Sequence, residues 1–209
     1  LYVEYQEDVF VGYRYFETIP GAAASVCYPF GYGLSYTTFA LSDVRGGMNG
    51  AGEIALSATV TNTGLCAGKY VLQAYVNPPK GRIAKPATAL VGFAKTRLLE
   101  PNESETLTVS FAPYAFATYD DEGAVRKSAY VLEKGAYGFR VGENVRETVN
   151  VDYRYELDDD AILEQLSPKC APTLLHRRML ADGSYREIAC APETPREDWR
   201  KLEGIPDEI

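Results

Sequence analysis

The chain has 209 residues, 46% hydrophobic and 24% charged, the balance of a globular protein, and is long enough to bury about 70% of the surface its unfolded form exposes. No stretch approaches the roughly 20 uninterrupted apolar residues that cross a bilayer. The 21 Lys and Arg against 29 Asp and Glu give a formal net charge of −8 with no basic block to neutralise a phosphate backbone, so neither nucleic acid nor a membrane is expected as a partner, while a neutral ligand such as a sugar stays open.

Cys27, Cys66, Cys170 and Cys190 form no C-x-x-C pair, and His176 is the single histidine. Metal-ligand spacing is therefore lacking, no metal or cofactor is expected, and the cysteines read as free buried thiols of a cytoplasmic protein. The start, Leu-Tyr-Val-Glu-Tyr, has no basic n-region, no apolar h-region and no initiator Met, so it reads as a fragment without a visible signal peptide.

Residues 1–37 are aromatic and Gly-rich, with one strand-like run, Val9 to Phe16. Pro20, Gly21, Pro29, Gly31 and Gly33 punctuate the rest, which predicts an irregular arm packing by its aromatic side chains and without a core of its own. Residues 38–155 repeat β-type runs at sandwich spacing. The runs are Phe39–Val44, Ile54–Val60, Tyr70–Val76 ended by Pro78-Pro79, and Leu90–Leu99 interrupted at Gly92, followed by Glu105–Phe111. Phe116–Tyr119 and Ser128–Leu132 flank the acidic Asp120-Asp121-Glu122-Gly123, and Gly135–Gly142 and Glu147–Tyr155 close the series. Alternation puts Ile54, Leu56, Ala58 and Val60 on one face and Leu107, Val109 and Phe111 inward. Asn62-Thr63-Gly64 and Pro101-Asn102-Glu103-Ser104 read as turns. In residues 156–209, Asp158-Asp159-Asp160 predicts the N-cap of a short helix through Leu166, stopped by Pro168. Pro172, Pro192, Pro195 and Pro206 follow without sustained periodicity, so this zone reads as a linker partly wrapping the sandwich.

Val9-Phe10-Val11-Gly12-Tyr13-Arg14-Tyr15-Phe16 followed by Pro29-Phe30-Gly31-Tyr32-Gly33-Leu34-Ser35-Tyr36-Thr37-Thr38-Phe39 resembles family 3 glycoside hydrolases of the β-glucosidase-like kind. So do Val60 to Gly64 with Ala67-Gly68-Lys69, Leu90 to Lys95, Leu98 to Glu103, and Gly135-Ala136-Tyr137 with Val141-Gly142. The resemblance covers about residues 7 to 145. It implies the end of an α/β sandwich domain crossing into a fibronectin type III-like domain. Leu166 to Leu180 with Asp182-Gly183-Ser184-Tyr185 resembles the connector of members whose catalytic barrel follows the sandwich. The fold expected is all-β: an immunoglobulin-like (fibronectin type III-like) sandwich with an irregular N-terminal arm and a C-terminal linker containing a short helix.

Family members cleave β-glucosides and related glycosides by the retaining mechanism, which needs two carboxyl groups about 5 Å apart. The resemblance places both upstream of Val9 or on the barrel, so no catalytic residue is assigned. Ser42-Asp43 resembles the Ser-Asp pair around the family's nucleophile, but Val44 stands where a Trp is expected, and Asp43 reads as a solvated strand-end residue. Asp120-Asp121-Glu122 and Asp158 to Asp160 are explained by a turn and a helix start. Gly31-x-Gly33 has Tyr36 where a nucleotide fingerprint needs Gly. Asn102-Glu103-Ser104 reads as a polar turn rather than a glycosylation site, and His176 as solvated.

The expected role is a non-catalytic structural accessory domain of a parent enzyme that hydrolyses terminal β-D-glucosides. Its partners are the catalytic domains of the same polypeptide, the carbohydrate substrate reaches it through the parent, and a homodimer is compatible with the reading. Tyr13, Arg14, Tyr15, Phe30 and Tyr32 are the candidate interface residues. The alternatives are a carbohydrate-binding module using exposed tyrosines, and an accessory domain of a β-xylosidase or arabinofuranosidase.

Overall fold

The computed structural model describes residues 5–170 and 175–188. Its strands are β1 (Phe39–Met48), β2 (Ile54–Asn62), β3 (Val71–Asn77), β4 (Ala89–Lys95), β5 (Ser104–Phe111), β6 (Thr118–Asp120), β7 (Ala129–Leu132), β8 (Gly135–Gly142), β9 (Thr148–Leu157), β10 (Ala161–Gln165), β11 (Arg177–Met179) and β12 (Tyr185–Glu187). Two antiparallel sheets, β1-β2-β5 and β4-β3-β8-β9, pack face to face. The strict alternation of β2 and β5 does what the sequence predicts: Ile54, Leu56, Ala58, Val60, Leu107, Val109 and Phe111 point inward against Leu72, Ala74, Val76, Tyr137, Phe139 and Val141. Burying each large aliphatic or Phe side chain there contributes about 1.5–3 kcal/mol. In β3 the residues from Leu72 to Val76 are all buried, because the arm lies over the face that carries Gln73 and Tyr75.

Two irregularities shape the strands. Between Ser42 and Arg45 the pairing of β1 with β2 shifts by one residue, a bulge at which Asp43 takes φ 49°. The extra residue switches inward parity from Phe39 and Leu41 to Val44 and Gly46, which hides the second half of β1 from an alternation count. In β9, Val151 to Tyr153 span the space opposite Phe139, between the pairs Arg140–Asn150 and Gly138–Arg154. At the sandwich corners β1 abuts β9 and β4 abuts β5. A Cβ on Gly46 would stand 2.7 Å from Val151, and one on Gly92 the same distance from Val109, so both close approaches require glycine.

The flanking zones differ from expectation. The run from Val9 to Phe16 is not a strand: Asp8 (φ 54°) and Gly12 (φ 60°) turn the backbone, and Tyr13–Phe16 forms a single helical turn, α1. The arm shares a small core, Phe10 and Ile19 packing with Met179 of β11, so its burial comes from a segment about 160 residues downstream. The helix expected from Asp158 to Leu166 is instead β10, which pairs with β7. Asp160 does not cap a helix; its carboxylate accepts the Lys134 backbone N–H at 2.9 Å and pairs with Arg82. The open edge of β7 gives this segment a ladder, and that outweighs its local propensity. Cys27 and Cys66 are free but exposed rather than buried. Pro172, Cys190, Pro192, Pro195 and Pro206 lie outside the described residues.

Candidate interdomain interface

The arm is held to the sandwich at three places. At the first, Asn62 continues the buried phase of β2 and is fully buried. Its side-chain amide donates to Cys66 O and Leu99 O at 2.8 Å, and its Oδ1 accepts from Thr37 Oγ1 at 2.6 Å and Gly64 N at 3.1 Å. Every polar position of that buried amide is used. Cβ atoms on Gly64 or Gly68 would strike Thr37, which is the physical reason the Thr37-Thr38 and Asn62-Thr63-Gly64 segments go together.

At the second place, buried Gln73 of β3 donates to Gly31 O at 3.2 Å and to Glu143 O, while its Oε1 accepts the Tyr75 hydroxyl at 2.6 Å. Gly31 has φ 87°, and a Cβ there would lie 2.6 Å from Gln73 Nε2. Next to it, Val145 N donates to Phe30 O at 2.9 Å. At the third, the Tyr13 ring stacks on Phe30 at 4.2 Å and its hydroxyl accepts the Leu90 N–H at 2.8 Å. Arg146 bonds Glu17 Oε1 at 2.9 Å and Ala23 O at 3.2 Å, and Thr18 Oγ1 accepts the Ala87 N–H.

What the arm turns outward is apolar. Tyr28, Leu34 and Tyr36 are 70%, 91% and 100% exposed, and Phe30 and Tyr32 are 41% and 46% exposed. The Tyr28 and Tyr32 rings lie 4.9 Å apart. Of the five candidate interface residues, Phe30 and Tyr32 therefore belong to the outward strip. Tyr13 and Tyr15 face inward, Tyr13 on Phe30 and Leu90, Tyr15 against the Phe10–Ile19–Met179 cluster, and Arg14 is half-buried. Sequence reasoning passed over Asn62 and Gln73 as anchors, because one reads as a turn and the other as an ordinary strand residue.

The carboxylates have structural work. Asp43 sits at the β1 bulge with Ser42 Oγ 3.4 Å away. Asp120 accepts four backbone N–H groups, from Gly123, Ala124, Val125 and Arg126, at 2.7–3.0 Å. Burial alone would raise its pKa, but those donors hold it below the ordinary value. Glu133, whose side chain is 3% exposed, pairs with Lys85 and Arg82 and accepts the Arg82 and Ile83 N–H groups. Here too burial works upward and the donors win, lowering the pKa. Glu147 beside Glu143, through hydrogen bonding aided by burial and repulsion, pushes Glu143 up to about 7, while hydrogen bonding with Glu143 and Asn144 holds Glu147 low. The exposed tyrosines Tyr114 and Tyr119 flank Tyr130 at 5.1 and 5.4 Å with planes tilted by 48° and 58°, so these rings do not form the coplanar platform on which successive pyranose rings would stack.

The three-on-four antiparallel sandwich, closed at both corners, defines an immunoglobulin-type module, and residues 70–145 match the fibronectin type III-like domain family. The chain is 50% identical over 201 residues to β-glucosidase A of Butyrivibrio fibrisolvens, covering 90% of this chain and 24% of that protein. It is 42% identical to a β-glucosidase of Ruminococcus albus, covering 88% of this chain and 19% of that one. The crystal structure of a β-glucosidase from Paenibacillus barengoltzii superposes with a TM-score of 0.75 at 37% identity, over 98% of this chain and 26% of that protein. The chain thus carries the fibronectin type III-like domain of family 3 glycoside hydrolases, and spans about a quarter or less of the length of these relatives.

Proposed function

We propose that this chain is the non-catalytic structural accessory domain of a longer family 3 hydrolase, presenting its aromatic arm to the catalytic domains and stabilising them. The observation that carries the reading is the strip of Tyr28, Phe30, Tyr32, Leu34 and Tyr36, turned to solvent by an arm pinned to the sandwich at the Gly31 carbonyl by Gln73 and at the Thr37 hydroxyl by Asn62. Exposed apolar side chains grouped on a rigidly held segment mark an interaction surface. Similarity to the B. fibrisolvens and R. albus enzymes supports terminal β-D-glucosides as the substrate of the parent. A carbohydrate-binding module draws less support, since Tyr114 and Tyr119 are each tilted against Tyr130.

The test is a double substitution, Leu34→Ser with Tyr36→Ser, in the full-length parent. Expected are a Tm lower by several degrees and a shorter activity half-life, with the KM for an aryl β-glucoside unchanged. A raised KM with unchanged Tm would assign the strip to substrate binding instead.

A further inference from the structure

The β11–β12 hairpin is not required by the sandwich, yet it is bonded to two other parts of the chain at once. Met179 N donates to Gln6 O at 2.8 Å, a backbone bond joining the arm to β11. The Met179 side chain is buried with Phe10 and Ile19, and a Cβ on Gly183 would lie 2.9 Å from Ile19, so the hairpin turn sits directly on the arm. Arg178 stands at the centre, its side chain 12% exposed. Its Nε lies 3.1 Å from Asp8 Oδ2, an ion pair outside hydrogen-bond alignment, and its terminal nitrogens form a fork on Asp121, with Glu122 at 3.6 Å. Arg186 of β12 pairs with Glu122. These groups line a cavity of about 230 Å³ together with Arg82, Ile83 and Ala84 of the β3–β4 loop.

We propose that the β11–β12 hairpin is a latch, pinned by Arg178, that binds the segment leading into the sandwich to the segment leading out of it, so that arm and hairpin open and close as one unit. Arg178 joins Asp8 of the arm to Asp121 of the β6–β7 loop; without it, Asp8 and Asp121 face each other with no guanidinium between them and only Arg186 remains on Glu122. A planar guanidinium can hold two carboxylates at once, which an ammonium cannot do with the same geometry. The apolar seat of Met179 supplies the rest of the closing force.

Amide hydrogen exchange on the full chain tests the coupling, with Arg178→Met and, separately, Met179→Ser, which removes the apolar seat and touches no charge. Expected in each variant is an increase of about ten-fold or more in exchange at Phe10, Ile19, Met179 and Leu180 together, with Leu56, Leu72 and Val141 unchanged, the signature of one cooperative local unit. Faster exchange confined to the hairpin, with Phe10 and Ile19 still protected in both variants, overturns the latch. If Arg178→Met also speeds the core amides, Met179→Ser alone decides between these outcomes.

Discussion

Gln73 and Gly31 occupy one another's space: the Gln73 side chain fills the volume where any Cβ at position 31 would go, and donates a hydrogen bond to the Gly31 carbonyl. The glycine is needed both for its left-handed φ and for the contact. Gly31→Ala is expected to destabilise the chain by about 2–3 kcal/mol, from backbone strain plus displacement of a buried amide. Chemical denaturation checks the magnitude. Exchange at Val145, whose N–H bonds the neighbouring Phe30 carbonyl, checks that the loss begins at the arm.

Asn62→Ala should cost more than a solvated turn residue would. It strands the Thr37 hydroxyl and the Gly64 N–H without their acceptor and the Cys66 carbonyl without its side-chain donor, and leaves the Leu99 carbonyl with the Gly68 N–H alone. A loss of about 2–4 kcal/mol is expected, against less than about 0.5 kcal/mol for Thr63→Ala on the exposed side of the same turn. Equal effects from the two substitutions would remove Asn62 as an anchor.

The sandwich was legible because its strands obey a period of two wherever one face is wet, as in β2 and β5. The motifs at Val9 and Pro29 were legible as a resemblance, but not their mechanics. Asn62 and Gln73 act through partners 25 and 42 residues away, Thr37 and Gly31, and nothing in local spacing signals such a pairing. The β10 segment failed for the opposite reason: Asp158 to Asp160 is a sound local helix start, overruled by a strand edge that only the folded molecule offers. The β1 bulge concealed Arg45 to Met48 by switching parity at Asp43. Of the candidate interface residues, Phe30 and Tyr32 lie in the segment read as irregular, where no period signals which rings face outward, whereas the inward turn of Tyr13 and Tyr15 depends on α1, a helical turn read as strand.

Acid should unfold the protein through Glu133 and Asp120. Both pKa values lie below their ordinary positions in the folded state, so the folded form binds fewer protons than the unfolded one as the pH falls through the carboxylate range. Their contribution is complete above that range and is lost as the pH falls toward the folded values. Glu133→Gln should lower stability at pH 7 by about 3–5 kcal/mol, because Lys85, 6% exposed, is left without its charge partner. The same variant should show a shallower fall of Tm between pH 5 and pH 3 (about the carboxylate range). A parallel pH profile in wild type and variant would exclude Glu133 as a source of acid sensitivity.

Glu143 predicts the opposite slope between the ordinary carboxylate range and neutrality, whereas its neighbour Glu147, held low, adds to the acid-side loss. With Glu143 raised to about 7, the folded chain holds a proton the unfolded chain has already lost, so this carboxyl favours folding at acid pH and the advantage fades as pH rises toward neutrality. Glu147→Gln should return the Glu143 titration, followed by NMR of its side-chain carbonyl, toward the ordinary carboxylate range.

The outward aromatic strip should bind an environment-sensitive apolar dye in the isolated chain. Leu34→Ser with Tyr36→Ser should reduce that fluorescence by about half or more while leaving Tm within about 2 °C, since both residues are exposed. Unchanged dye binding would place the sticky surface elsewhere.

Gly46 and Gly92, at opposite corners of the sandwich, do more than permit close packing. By letting β1 settle against β9 and β4 against β5, they turn the outermost strands of each sheet toward one another rather than toward the next molecule. Edge strands otherwise recruit further strands from neighbouring copies, the route to ordered aggregates. A larger residue at either corner would prise the two sheets apart and leave a row of backbone donors and acceptors available to a second chain. Damage at these glycines should therefore appear first as intermolecular association at high concentration, before any global loss of structure is seen in dilute solution.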